Sequence, residues 1–158
     1  MPVISGGVSN GLWDVRGEEV TVTETGGALT YTGSVTVPAG SYLIDIILHG
    51  TAVWNNSGAV TGKVGDATIT DGIFTGIDMK ATDLIAAEGL SASGVAGSAG
   101  GKAGGDLANS QWNRRWLATE RVISLVITTA STGGSTGRTR MLVLYAAPPA
   151  NSIAATSA

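Results

Sequence analysis

The sequence predicts an all-β protein, an antiparallel β-sandwich of jelly-roll type with about seven to eight strands and at most one short helix. Three observations carry this. Apolar residues recur at every second position in several short runs, glycine-rich turn signals separate those runs, and only one stretch has helical character.

Residues 1–17 contain Gly6, Gly7, Gly11, Gly17 and Trp13 without a sustained period, and read as an N-terminal arm. From Glu18 the pattern is β. Val20 and Val22 alternate with Thr21 and Thr23; beyond Gly26-Gly27, Tyr31, Gly33, Val35 and Val37 alternate with Thr32, Ser34 and Thr36. Two strands joined by a tight turn are expected here. Pro38-Ala39-Gly40 breaks the chain before SYLIDIILHG, where a regular strand puts Tyr42, Ile44, Ile46 and Leu48 on one face and Leu43, Asp45, Ile47 and His49 on the other. Both faces are largely apolar, which places this strand inside a sheet, with its outer side covered by a loop, a second layer or another subunit.

Asn55-Asn56-Ser57-Gly58 is a turn signal, and KVGDATITDGIFTGIDM reads as short strands punctuated by Gly65-Asp66 and Asp71-Gly72. Lys80 to Glu88, with Leu84 and Ile85, is the one helical turn expected. Residues 89–110 form a low-complexity tract of 22 residues with seven glycines, of a kind that is either mobile or ordered by a partner. After it, VISLVITT and TRMLVLYA bracket STGGSTG and predict a hairpin. Ile123, Leu125 and Ile127 share one face of its first strand; Met141, Val143 and Tyr145 share one face of its second. Pro148-Pro149 ends the pattern, so the sandwich spans 18–147 and residues 148–158 form a small-residue tail.

The composition limits the function. With 158 residues the chain fits one domain. Charged residues make up only 13% of it, against about 25% in ordinary domains, and the net charge is −3. Hydrophobic content of 43% is enough for a core, yet no run is long enough to span a membrane. No basic stripe is present to neutralise a phosphate backbone, so neither nucleic acid nor membrane is an expected partner. The absence of cysteine excludes disulfides, thiolate nucleophiles and cysteine-held zinc. The opening MPVISGGVSN has no basic segment followed by an apolar one, so no secretory signal is expected and synthesis takes place in a cytoplasm.

Catalytic constellations are thin. His49 is the sole histidine, which excludes a site built from several imidazoles. Asp45 lies four residues away on the same strand face, about 13 Å along a strand and too far to orient it. Gly62-Lys63 and Gly101-Lys102 fail the phosphate-loop spacing: Ser57 and Ala96 stand where the earlier glycine belongs, and Val64 and Ala103 follow the lysines. Asp66, Asp71 and Asp78 are close enough in sequence to raise a calcium site, but their glycine neighbours mark them as turn residues. No catalytic group, metal or cofactor is expected. The interaction-like cluster is Trp112, Arg114, Arg115 and Trp116, because Trp and Arg combine apolar area with directional donors. Trp54, Asn55 and Asn56 form a second candidate, a stacking platform for a glycan, against the alternative of a buried indole before a turn.

At KVGDATITDGIFTGIDMKATDLIAAEG and RVISLVITTASTGGSTGRTRMLVLYA the chain resembles small virion proteins of tailed bacteriophages, in particular head decoration (cement) proteins with a jelly-roll fold. The resemblance covers about residues 18–147; the 89–110 tract departs from it and leaves head and tail locations both open. It implies a non-enzymatic protein, made in the host cytoplasm, that sits on the outer capsid surface of the virion. Its implied partners are sister copies, as a homo-oligomer with a trimer favoured over a dimer, and the major capsid protein, whose capsomers it ties together. A receptor- or carbohydrate-binding module of a tail or fibre, using Trp54, Asn55 and Asn56, is the alternative.

Overall fold

The computed structural model describes residues 13–82, 84–85, 90–92, 102–103 and 115–148. The described residues form ten strands and no helix: β1 (Asp14–Thr23), β2 (Thr30–Val37), β3 (Ser41–Ala52), β4 (Val60–Gly65), β5 (Phe74–Asp78), β6 (Leu90–Ser91), β7 (Lys102–Ala103), β8 (Trp116–Leu117), β9 (Arg121–Thr129) and β10 (Arg138–Ala147). One sheet runs β1-β10-β3-β6, with β8 also paired to β3; the other runs β2-β9-β4-β5-β7. Every pairing is antiparallel. With the two-residue strands β7 and β8 set aside, the first, eighth, third and sixth strands face the second, seventh, fourth and fifth, which is the double Greek key of a jelly roll.

This order corrects two local expectations. β9 and β10 are not a hairpin, because β9 lies between β2 and β4 in one sheet while β10 lies between β1 and β3 in the other. β1 and β2 are separated in the same way. Turn chemistry reports that the chain reverses; it does not report whether the chain returns to the same sheet or crosses the roughly 10 Å to the facing one. At Lys80–Glu88 the described part is a turn, closed by Ile85 N donating to Thr82 O at 3.1 Å, and the rest lies outside the described residues.

The core is the set of side chains that alternate inward. Tyr31, Val35 and Val37 on β2, Ile123, Leu125 and Ile127 on β9, and Met141, Val143 and Tyr145 on β10 are all buried, as the period of two requires. β3 departs from that period. Its register with β10 pairs Leu144 with Asp45 and Tyr145 with Leu43, so Ile44 is an extra residue and the strand bulges there. The bulge reverses the side-chain parity. Leu43 therefore joins Ile46 and Leu48 in the core, and the expected grouping of Tyr42 with Ile46 and Leu48 is corrected: Tyr42 is on the outer face.

The crossing loop between β9 and β10 is held by one buried cluster. Trp54 is 0% exposed, and its indole Nε1 donates to Thr139 Oγ1 at 2.9 Å. Its ring packs edge-on to Tyr31, with centroids 5.5 Å apart. The backbone of Gly137 presses so close to the indole that a Cβ there would lie 2.3 Å from a ring carbon. Buried Glu24 accepts from the Gly137 and Asn55 amides at 3.0 and 3.3 Å. Truncation of Trp54 to alanine empties this cluster and is expected to cost about 3–5 kcal/mol, read as a lowered urea midpoint.

β10 carries a titratable group near its end. Tyr145 is buried with its hydroxyl donating to Glu18 Oε1. Burial pushes its phenol above the ordinary value, the bond to Glu18 adds to the shift, and Arg16 opposes it. The folded state thus holds the proton more tightly than the unfolded chain. That stability is complete below about pH 10 and is lost as pH rises through the raised folded value. Unfolding followed from about pH 9 to 11 should show this loss, with a shallower slope in Tyr145→Phe.

Candidate functional site

Among the described residues no three His, Asp or Glu side chains gather where they could hold a metal ion. Asp66 and Asp78 are turn residues: Asp66 Oδ1 accepts from the Thr68 and Ile69 amides at 2.8 and 3.0 Å, and Asp78 Oδ1 from the Lys80 amide at 2.9 Å. Asp66 also pairs with Arg121 at 2.7 Å. Asp71 is exposed beside them. His49 is half-buried opposite Arg140 on the neighbouring strand. Asp45 Oδ1 accepts from the Ile46 amide at 2.8 Å and so belongs to the β3 bulge.

Of the interaction cluster read from the sequence, Arg115 and Trp116 are described, and Trp112 and Arg114 lie outside the described residues. Pairing of β8 with β3 sets Trp116 opposite Tyr42. Tyr42 is opposite Ala146, and Ala146 is opposite Val15. Residues paired directly across an antiparallel ladder point to the same side. Val15, Ala146, Tyr42 and Trp116 therefore form one row across the outer face of this sheet. Trp13 joins it, with its indole edge-on to Trp116 at 5.6 Å between centroids. Exposures of 65% for Val15, 56% for Trp116, 45% for Trp13 and 40% for Tyr42 make this half of the eight large hydrophobics exposed among the described residues. The others, Leu29, Val53, Ile69 and Val122, are spread over loops and the other sheet. One end of one sheet is thus an aromatic and apolar platform.

Arg115 sets this platform in place from behind. Its Nε donates to Leu43 O at 3.0 Å and its Nη2 donates to Ile44 O, the two carbonyls at the bulge. Its own carbonyl accepts from the Leu43 amide at 2.7 Å, and its guanidinium lies 5.3 Å from the centre of the Tyr42 ring. A cleft of about 530 Å³ opens beside Trp116, between the turn at Asp66–Thr68 and the segment from Leu117 to Val122.

The residues of the glycan alternative are placed differently. Trp54 faces the core and shows no ring surface to solvent. Asn56 is buried, with Oδ1 accepting from Ser131 Oγ at 2.7 Å and from the Gly58 amide at 3.2 Å. Asn55 is exposed, but its Oδ1 accepts from the Ser135 and Thr136 amides at 2.9 and 3.3 Å. All three fasten the β9–β10 crossing loop.

Trp13, Val15 and Tyr42 were not singled out by sequence. β1 begins at Asp14, six residues before the alternation becomes apolar on the core side. Counting back from Val22 and Val20 reaches Glu18, Arg16 and Asp14, so the period persists with exposed charged residues at the core-side positions and Val15 on the outer side. That inversion is the signal that marks the platform.

The assignment of Arg115 to the bulge can be measured. Loss of a charged donor from two carbonyls is expected to cost about 1.5–3 kcal/mol in Arg115→Ala. Arg115→Lys should recover little, since an ammonium lacks the planar fork that spans both acceptors. Urea unfolding of the two variants gives the comparison; an unchanged midpoint in Arg115→Ala would free this residue for an outside partner.

No protein-family model matches the chain, and no curated protein matches it significantly. Among solved structures it is similar to a chain of the cyanophage Pam1 capsid asymmetric unit, at 18% identity over 88% of this chain and 87% of that one, with a TM-score of 0.47.

Proposed function

We propose that the protein is a non-enzymatic structural component of a tailed-phage virion, which decorates the outer surface of the head and stabilises it by bridging capsomers as a homo-oligomer. The observation that carries this is the platform of Trp13, Val15, Tyr42 and Trp116, held out to solvent at one end of a sheet. A monomeric protein rarely exposes apolar groups in one contiguous patch unless the patch meets a partner. The jelly roll suits such work, since its two packed sheets present broad outer faces. It hosts many functions, so fold supports this reading only together with the site. The sequence resemblance to decoration proteins points the same way. Bridging needs many modest contacts repeated by symmetry, and multivalency multiplies their strength.

The tail or fibre alternative depended on Trp54 as a stacking ring, and that ring is enclosed by the core. Direct addition to undecorated heads of the parent phage tests the proposal. Purified protein should saturate at a fixed number of copies per shell, appear at repeated lattice points in a particle map, and raise the temperature at which the shells open. Heads that neither bind the protein nor gain heat resistance would end the proposal.

A further inference from the structure

We infer that the cleft between Trp116 and the turn at Asp66–Thr68 is a carbohydrate site, which takes a neutral glycan against the Trp116 indole. The inference is separate from the decoration reading and is tested without it.

The cleft forms where the chain passes from one sheet to the other. Trp116 and Leu117 pair with β3 in the first sheet, and Arg121 opens β9 in the second. The facing wall is the turn after β4. Both walls are fixed by bonds within the protein. The Leu43 amide donates to Arg115 O and the Gly40 amide to Leu117 O, each at 2.7 Å, so the backbone on either side of Trp116 is held. Asp66 Oδ1 accepts from the Thr68 and Ile69 amides, and Asp66 Oδ2 accepts from Arg121 Nε at 2.7 Å, which ties one wall to the other. A site held in this way has little ordering left to do when a ligand enters. Its volume of about 530 Å³ is within the about 300–1,000 Å³ of small-molecule sites.

Three features of the lining select the ligand. The first is the ring. Trp116 is 56% exposed even with Trp13 set edge-on against it, so much of the indole surface is open. The C–H side of a sugar ring is a flat apolar surface that such an indole covers, and Trp116 thus supplies the stacking ring that enclosed Trp54 does not. The second is charge. Asp66 and Arg121 neutralise each other, and exposed Glu120 leaves the lining with one net negative charge, which repels a phosphate, a sulfate or an acidic sugar. A cationic peptide gains little, because the Asp66 carboxylate is already engaged by Arg121 and two amides. The third is the polar rim. Thr68, Thr119 and Glu120 are exposed along the two walls, and their hydroxyls and carboxylate match the hydroxyls at the edge of a sugar. An apolar face with a hydroxyl-bearing edge describes a neutral glycan, and neither an anion nor a wholly apolar ligand meets both.

The test is binding of soluble hexasaccharides to the full chain, read by calorimetry and by saturation-transfer NMR. The neutral probes are cellohexaose, maltohexaose, chitohexaose, mannohexaose and xylohexaose; a heparin hexasaccharide and hexalysine are the charged counterparts. At least one neutral probe should bind with a millimolar or tighter Kd and receive saturation at its ring C–H protons. Trp116→Ala should weaken that binding about 10-fold or more, and Trp116→Phe should restore part of it. Glu120→Gln and Thr119→Val should each weaken it about 3-fold. Leu29→Ala, which removes an exposed apolar side chain at the opposite end of β2, should leave it unchanged. All of these side chains are exposed, so each variant should keep the parent far-UV spectrum and melt cooperatively. No binding by any neutral probe, binding that survives Trp116→Ala, or preference for the heparin or hexalysine probe would overturn the inference.

Discussion

The sidedness of β3 depends on one extra residue, Ile44, and on the arginine that satisfies the carbonyls around it. A strand of strict period from Ser41 to Ala52 has two choices. One buries Leu43 together with Asp45, Ile47 and His49; the other buries Tyr42, Ile44, Ile46 and Leu48 and turns Leu43 out. The bulge takes Leu43 from the first set and Ile46 and Leu48 from the second. A bulge leaves backbone groups away from the ladder, and unpaired buried groups are costly. Arg115 removes that cost by donating to Leu43 and Ile44. The core of the sheet and the outward Tyr42 are therefore two results of one contact.

Much of the fold was legible because burial leaves a period in the sequence. β2, β9 and β10 have facing sheets along their whole length, and Tyr31, Val35, Ile123, Leu125, Met141 and Val143 stand where alternation puts them. The hairpins were misread because the signal for a turn is local and the signal for a sheet partner is not. STGGSTG has the residues of a tight reversal, yet the chain crosses the sandwich there. What fixes the crossing is remote: Glu24 from the end of β1 and Trp54, Asn55 and Asn56 from the loop after β3 bind the segment between β9 and β10. No local reading of residues 130–137 contains those partners.

The site was legible in part for a related reason. Trp116 and Arg115 stood out by composition, but composition does not separate a side chain that meets a partner from one that serves the fold. The structure divides them: Trp116 is on the surface, and Arg115 is engaged with the bulge. Trp54 and Trp116 are the same residue type with opposite fates, because Gly137 and Tyr31 enclose the first and β8 carries the second on an outer face. Trp13 and Val15 escaped notice because the first half of β1 overhangs the core. Its core-side positions are charged, and a search for apolar alternation passes over it.

One outer face carries apolar groups that the fold of the sandwich does not itself require. A β-sandwich needs only its inner faces to be apolar, and the outward Thr and Ser of β2 show that this chain can make an outer strand hydrated. The β1-β10-β3 face has the same structural freedom and uses Val15, Leu142, Leu144, Tyr42 and Trp116 instead. These residues add nothing to the inter-sheet core, since they point away from it. An aqueous protomer gains no free energy by displaying them, because apolar area stabilises only when it leaves water. Any stabilisation they give is realised only when another surface covers them.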